Sequence, residues 1–190
     1  MNSIVCIGDS LTYGYGVNSK SSWVELLKKR LKNVNVINAG VNGDTTIGMV
    51  NRFTEDVVYN NPDVVIILGG TNDFLANRNP DNSLKNINIM VKEAIENNII
   101  PIVLSPPKAI EDLALNCWDS CCDYSNVNSL VEQFGDILSK FCSNEDISFV
   151  NLNDVFDKIE NNRCLYTDGI HLSEEGNKLL FEVVANIIRE

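Results

Sequence analysis

The sequence predicts a flavodoxin-like α/β fold, in which a doubly wound, five-stranded parallel sheet carries helices on both faces. Short runs of β-branched and other apolar residues alternate with amphipathic helical patterns along the whole chain. Such alternation favours parallel strands joined by right-handed crossovers. The run VVIIL at residues 64–68 has no polar alternation, which is typical of a strand buried on both faces.

Five strands are predicted in chain order. They span residues 4–7, 34–37, 64–68, 99–104 and 147–150. A doubly wound sheet of five strands favours the spatial order 2-1-3-4-5, and its ligands bind beyond the carboxyl ends of the strands. Polar residues that follow a strand are therefore candidates for a functional site.

Amphipathic segments between the strands predict five helices. Ser21 or Ser22 can cap the first helix, which contains Trp23, and Glu25 completes a capping box with Ser22. The other four helices are predicted at residues 45–59, 83–97, 125–141 and 174–189. Residues 105–124 read as one long irregular stretch, and loops of that length are usually functional or mobile. Its apolar residues either form a wall for an acyl chain or cover the core.

Length and charge restrict the class of protein. A chain of 190 residues with 44% apolar and 22% charged residues predicts a single globular domain, residues 1–190. The net charge of −11 argues against nucleic acid as a partner and against docking on an anionic bilayer. The start of the sequence shows no signal peptide and no stretch is long enough for a membrane helix, so we predict a cytoplasmic location. A leader removed before residue 1 and the oligomeric state stay open.

Six cysteines are expected to be mostly reduced in a cytoplasmic chain. Cys117, Cys121 and Cys122 cluster, but they form no CxxC pair and have no histidine nearby, so no metal site is predicted there and their redox state stays open. Cys6 and Cys164 are predicted to be small buried apolar groups.

One serine, one histidine and one aspartate carry the chemistry of a nucleophilic hydrolase. His171 is the only histidine, and a catalytic base near neutral pH is most often histidine. Asp168 lies three residues earlier, where its carboxylate can orient the imidazole. Ser10 directly follows the first strand, where a nucleophile is accessible. Each residue also has an ordinary structural explanation, as a cap, a turn or an incidental loop residue.

Two further polar groups follow the second and third strands. Gly43 can offer a backbone N–H and Asn72 a side-chain amide, the donors that an oxyanion needs during acyl transfer. Separately, Gly43 is typical of a turn with positive φ and Asn72 of a loop amide. Only their joint placement at one edge of the sheet favours the catalytic interpretation.

The combination resembles the SGNH hydrolases, also called the GDSL family of esterases and lipases. Four blocks carry the likeness over most of the chain: Gly8-Asp9-Ser10-Leu11, Gly40-Val41-Asn42-Gly43, Gly70-Thr71-Asn72-Asp73 and Asp168-Gly169-Ile170-His171. The residues Thr12-Tyr13-Gly14 and Trp23 are similar to the compact bacterial thioesterase, lysophospholipase and arylesterase group.

This resemblance implies a serine hydrolase that cleaves acyl esters or thioesters through an acyl-enzyme, with no metal and no organic cofactor. Ser10 would be the nucleophile, and Asp168 and His171 would complete the triad. Ser10, Gly43 and Asn72 would form the oxyanion hole. A carbohydrate O-acetylesterase with the same triad, and a non-catalytic binding domain that retains the fold, remain as alternatives.

Overall fold

A computed structural model describes residues 1–188 and shows one five-stranded parallel sheet. The strands are β1 (Ser3–Gly8), β2 (Asn35–Gly40), β3 (Val64–Leu68), β4 (Ile100–Leu104) and β5 (Ser148–Val150). Their spatial order is β2-β1-β3-β4-β5 and every adjacent pair is parallel, which confirms the predicted fold class and strand order. Gly8 pairs with Gly40 and Leu68, so three strands end at one level.

Nine α-helices occur within residues 1–188. They are α1 (Ser10–Tyr13), α2 (Trp23–Arg30), α3 (Thr46–Asp56), α4 (Thr71–Leu75), α5 (Pro80–Glu96), α6 (Glu111–Cys117), α7 (Tyr124–Asn144), α8 (Leu152–Phe156) and α9 (Glu174–Ile187). Short 3₁₀ turns occupy Ser19–Ser21, Val58–Asn60 and Asn162–Leu165.

The core lies on both faces of the sheet because successive side chains of a strand point to opposite sides. In β1, Ile4 and Cys6 pack on the face covered by α2 and α9, whereas Val5 and Ile7 pack on the face covered by α3, α5 and α7. All five side chains of β3 are buried, as the apolar run predicts. The sheet is thereby fixed from both sides, and the loops at its carboxyl edge start from rigid positions.

Several predicted boundaries change in the structure. Ser22 caps α2 through the N–H of Glu25, as predicted. The helix predicted at 83–97 begins three residues earlier, because Asn79 caps it and Pro80 occupies its first turn, where a missing N–H costs nothing. Arg189, the end of the last predicted helix, lies outside the described residues.

Two predictions about loops are wrong. Residues 105–124 are not wholly irregular, because they contain the helix α6. The backbone N–H of Ile110, the residue before this helix, donates to the carbonyl of Gly169. Cys164 is exposed rather than buried, because it lies on the 3₁₀ turn at the surface. Cys6 is buried, as predicted. Among residues 1–188, no helix is both long and apolar enough to cross a membrane.

Candidate active site

Ser10 lies at the carboxyl end of β1, where the chain leaves the sheet and immediately forms α1. Asp9 caps this helix, its Oδ1 accepting the N–H of Leu11 at 2.9 Å. Five of the six residues of β1 are buried, so the serine that follows the strand starts from a well-packed position. Ser10 therefore follows a strand held in the core.

The structure brings Ser10, His171 and Asp168 together. His171 Nε2 lies 3.0 Å from Ser10 Oγ, and His171 Nδ1 lies 2.7 Å from Asp168 Oδ2. The second carboxylate oxygen of Asp168 accepts the backbone N–H groups of Ile170 at 3.0 Å and His171 at 2.8 Å. Asp168 and His171, three residues apart, thus lie on one tight turn that holds the carboxylate against the imidazole.

The electrostatics of this turn favour an ionised Asp168. Partial burial opposes the charge, but the hydrogen bonds from the His171 ring and from two backbone N–H groups outweigh it and hold the pKa of Asp168 below its usual value. A carboxylate that stays charged can stabilise an imidazolium on His171. The arrangement can therefore take a proton from Ser10 and keep the resulting charge pair together.

Gly43 and Asn72 follow β2 and β3, the two strands that flank β1, at the same edge of the sheet. Gly43 has a φ of +76°, and a Cβ at this position would meet nothing within 4 Å, so its backbone borders open space. Asn72 Nδ2 donates to the carbonyl of Asp44 at 2.8 Å, which orients the amide beside the Gly43 turn. Within residues 1–188, the N–H groups of Ser10 and Gly43 have no protein acceptor. These groups can therefore serve a developing oxyanion.

Arg52 joins the loops that carry these donors, and sequence reasoning missed it. Its guanidinium donates to the carbonyls of Gly8 at 2.9 Å and Ala39 at 2.8 Å, and to the carboxylates of Asp44 at 2.7 Å and Asp56 at 2.6 Å. Asp44 pairs with this arginine, and the neighbouring Thr45 caps α3. In the sequence, this network is signalled only by the i, i+4 spacing of Arg52 and Asp56 on α3.

Asp73 fixes the loop that follows β3. Its carboxylate is nearly fully buried and accepts the backbone N–H of Thr46 at 2.8 Å and the Thr46 hydroxyl at 3.0 Å. Arg78 Nη1 lies 3.6 Å from Asp73 Oδ1. The bond ties the start of α3 to α4, and hence the Gly43 turn to Asn72.

Asp9 is the most unusual carboxyl group near the site. It is fully buried, and its Oδ2 has no hydrogen-bond partner within the described part of the chain. Burial, together with the nearby charges of Asp44 and Asp73, raises the pKa of Asp9 to about 7, against the lowering effect of the Leu11 N–H and His171. The carboxyl group directly before Ser10 is thus largely neutral below pH 7.

Two exposed aromatic side chains lie against the imidazole of His171. The ring centre of Tyr15 is 4.5 Å away and that of Trp118 is 4.7 Å away. The sequence pointed to Trp118 only as part of a long loop and did not point to Tyr15. For comparison, no cluster of three His, Cys, Asp or Glu side chains within residues 1–188 could hold a metal ion.

Comparison with known proteins assigns the chain to a family. The sequence profile of the GDSL-like lipase/acylhydrolase family matches residues 6–179. The chain belongs to that family. Family membership makes the protein a carboxylic ester hydrolase.

Two named relatives and one solved structure match different shares of the chain. The chain is 27% identical to an arylesterase of Vibrio mimicus over 191 residues, covering 96% of this chain and 86% of that protein. It is 31% identical to the esterase TesA of Pseudomonas aeruginosa over 96 residues, about half of each protein (48% and 48%). The crystal structure of a lipase/acylhydrolase from Enterococcus faecalis superposes with a TM-score of 0.82 at 26% identity, covering 99% and 95% of the two chains.

Proposed function

We propose that this GDSL-family protein hydrolyses acyl esters or thioesters with Ser10 as the nucleophile, His171 as the general base and then acid, and Asp168 as the orienting carboxylate. The supporting observation is the unbroken chain of contacts Asp168–His171–Ser10, at 2.7 and 3.0 Å. Relatives named arylesterase and esterase TesA support the ester bond as the target.

The first half of the reaction is acylation of the serine. His171 Nε2 takes the hydroxyl proton as Ser10 Oγ attacks the carbonyl carbon, and the imidazolium is held by Asp168. The bond to the leaving oxygen or sulfur then breaks, and His171 donates its proton to that atom. The products are the free alcohol or thiol and an acyl ester on Ser10.

The second half repeats these steps with water. His171 takes a proton from a water molecule, the resulting hydroxide attacks the acyl carbonyl, and the Ser10 oxygen leaves with the proton from His171. In both halves the carbonyl oxygen becomes negative. The backbone N–H groups of Ser10 and Gly43 and the Asn72 amide are the donors we assign to that oxyanion.

A small apolar cavity lies near the triad, bordered by Thr71, next to Asn72, and by Ile170, next to His171. Its volume of about 10 Å³ has room for roughly one water molecule, so it does not hold an alkyl chain. Pro107, part of the predicted acyl wall, lines this small cavity. The first candidate, a thioesterase or lysophospholipase acting on acyl groups longer than acetyl, therefore rests on the resemblance of Thr12-Tyr13-Gly14 and Trp23 to that group.

A carbohydrate O-acetylesterase is the second candidate. Exposed Tyr15 and Trp118 beside His171 favour it, because a pyranose ring stacks its C–H face on aromatic side chains. This candidate needs no deep acyl cavity, because an acetyl group occupies little space. Activity toward esters of one alcohol separates the two: a rise from acetyl to octanoyl supports the first candidate and a fall supports the second.

The test of the mechanism compares Ser10→Ala with a matched control, Ser125→Ala, an exposed serine on α7. Hydrolysis of p-nitrophenyl esters and labelling by a fluorophosphonate are measured for both. We expect the control to match the wild type and Ser10→Ala to lose labelling and nearly all turnover. If Ser10→Ala keeps more than about a hundredth of the wild-type kcat, the proposed nucleophile is wrong.

A further inference from the structure

The rings of Tyr15, Trp118 and His171 form a corner. Tyr15 and Trp118 are 6.1 Å apart, edge to face, and each lies within 4.7 Å of His171. If the two rings sandwiched the imidazole, their separation would nearly equal the sum of their distances to it. They instead meet it from adjacent sides, with the angle at His171 close to a right angle, and so form two walls of one recess.

Both walls are anchored on the triad itself. The backbone N–H of Tyr15 donates to the carbonyl of Ser10 at 3.1 Å, so the tyrosine follows the nucleophile. Trp118 directly follows α6, and α6 is preceded by Ile110, whose N–H donates to the carbonyl of Gly169 at 2.8 Å. Gly169 has a φ of +93°, and a Cβ there would come within 2.4 Å of the Ala114 backbone nitrogen, so the helix approaches the catalytic turn as closely as its backbone allows.

Exposure separates these rings from the histidine that they cover. His171 is only 4% exposed, whereas Tyr15 is 41% exposed and Trp118 is 48% exposed. Two large aromatic rings that stay open to solvent beside a buried catalytic group are poorly explained as core packing, since burial would stabilise them more. Their open faces are available to a substrate.

We infer that Tyr15 and Trp118 form a leaving-group subsite, which receives an alcohol or thiol with a flat apolar face. This inference rests on the proposed function. In acylation, His171 must place its proton on the leaving oxygen or sulfur, so that atom comes within hydrogen-bond distance of Nε2. The rest of the leaving group is attached to that atom and must lie on the open side of His171, where the two aromatic rings stand.

The chemistry of the walls sets the class of leaving group. Aromatic side chains bind flat apolar surfaces in offset or edge-to-face contacts, which an aryl ring and the C–H face of a pyranose both provide. A short linear alcohol offers no such face.

The test holds the acyl group constant and changes only the alcohol. The kcat/KM values for phenyl acetate and ethyl acetate are measured for the wild type, Tyr15→Ala, Trp118→Ala and the apolar but non-aromatic Trp118→Leu. Tyr59→Ala is the matched control, since Tyr59 is 77% exposed on the turn before β3, at the opposite edge of the sheet. The quantity compared between variants is the ratio of kcat/KM for phenyl acetate to kcat/KM for ethyl acetate. The difference in intrinsic reactivity between the two esters is the same for every variant, so it does not affect the comparison.

We expect each of the three subsite variants to lower this ratio by about 3- to 10-fold, and the control to leave it unchanged. Hydrolysis of the acetyl-enzyme, read from the steady state after the burst, should stay at the wild-type rate in all variants, because the alcohol has already left. An acetylated methyl xyloside separates the two ligand sources. If its kcat/KM falls with that of phenyl acetate, pyranose faces use the subsite too; if only phenyl acetate is affected, the subsite is for aryl alcohols.

An unchanged ratio overturns the inference. So does an equal loss for both esters with slower hydrolysis of the acetyl-enzyme, since the rings would then act on His171 and not on the leaving group. Failure of the proposed function is recognised separately: a wild-type protein that hydrolyses neither ester and takes no fluorophosphonate label has no catalytic serine. A labelled, active enzyme with an unchanged ratio refutes the subsite alone.

Discussion

Replacing Arg52 tests whether one side chain holds the candidate site in shape. Its guanidinium connects the carbonyl of Gly8, just before the nucleophile loop, to Asp44, just after Gly43. The side chain is only 18% exposed and Asp44 only 12%. Hydrogen bonds to charged groups contribute about 1.5–3 kcal/mol each, and removing one partner of a largely buried ion pair costs about 3–5 kcal/mol. Solvent access reduces this, so we expect Arg52→Met to lower the free energy of unfolding by about 3 kcal/mol.

Urea unfolding measures this loss, and Arg163→Met is the control. Arg163 also pairs with an aspartate, Asp112, but both side chains are about half or more exposed. Exposed pairs contribute little because water screens them, so the control should unfold at the wild-type urea concentration. If Arg52→Met and Arg163→Met unfold at the same urea concentration, the network around Arg52 does not stabilise the fold.

The activity of the same variants tests the role of Arg52 as a positioning residue. The Gly43 turn and the carbonyl that orients Asn72 both depend on Asp44, so loss of its partner should displace oxyanion donors. Displacements of about 1 Å can cost about 100-fold in rate, and we expect kcat to fall by about 10- to 100-fold with a smaller change in KM. Arg163→Met should keep the wild-type kcat. An Arg52→Met enzyme with normal kcat would refute this role.

The remaining predictions concern the oxyanion and the buried acid. Asn72→Ala should lower kcat by about 100- to 1000-fold in steady-state assays. The rate of fluorophosphonate labelling should fall by a smaller factor than kcat. A loss of kcat under 10-fold would mean that Asn72 is not part of the oxyanion hole. Burial raises the pKa of Asp9 to about 7. Between pH 4 and pH 7 the folded protein therefore keeps a proton on Asp9 that the unfolded chain has released. The free energy of unfolding falls as pH rises through this range. Relative to Asp9→Asn, the wild type should therefore lose about 4 kcal/mol of unfolding free energy between pH 4 and pH 8, measured by urea titration at each pH; parallel curves would contradict this.

Local patterns predicted the sheet because each strand carries its own signal. The bounds of β3 come from five consecutive β-branched or leucine residues, and Ser22 and Glu25 mark the start of α2. The grouping of Ser10 with His171, 161 residues apart, came from the resemblance to the SGNH hydrolases and not from the fold class, because His171 precedes the last helix and follows no strand. The roles of Asp168, His171 and Ser10 in catalysis stay predictions.

Contacts between distant loops left no such signal. Arg52 bonds to Gly8, 44 residues away, through a backbone carbonyl, and no residue type in the sequence records a carbonyl acceptor. The sequence did not predict the helix α6, because Glu111–Cys117 is short and its start depends on the distant Gly169 carbonyl. Tyr15 and Trp118 meet only once both loops are anchored. These features depend on tertiary geometry, which periodicity cannot report.

Three carboxyl groups surround the nucleophile loop, although the proposed reaction develops a negative charge there. An uncompensated carboxylate close to the oxyanion would raise the barrier, since like charges repel strongly where water is scarce. Asp44 is compensated by Arg52, Asp73 by the N–H and hydroxyl of Thr46, and Asp9 by retaining its proton up to about pH 7. Arg52 therefore has an electrostatic role besides its positioning role. Arg52→Lys keeps the positive charge and loses the forked geometry, whereas Arg52→Met loses both, so the difference in kcat between these two variants measures the electrostatic part.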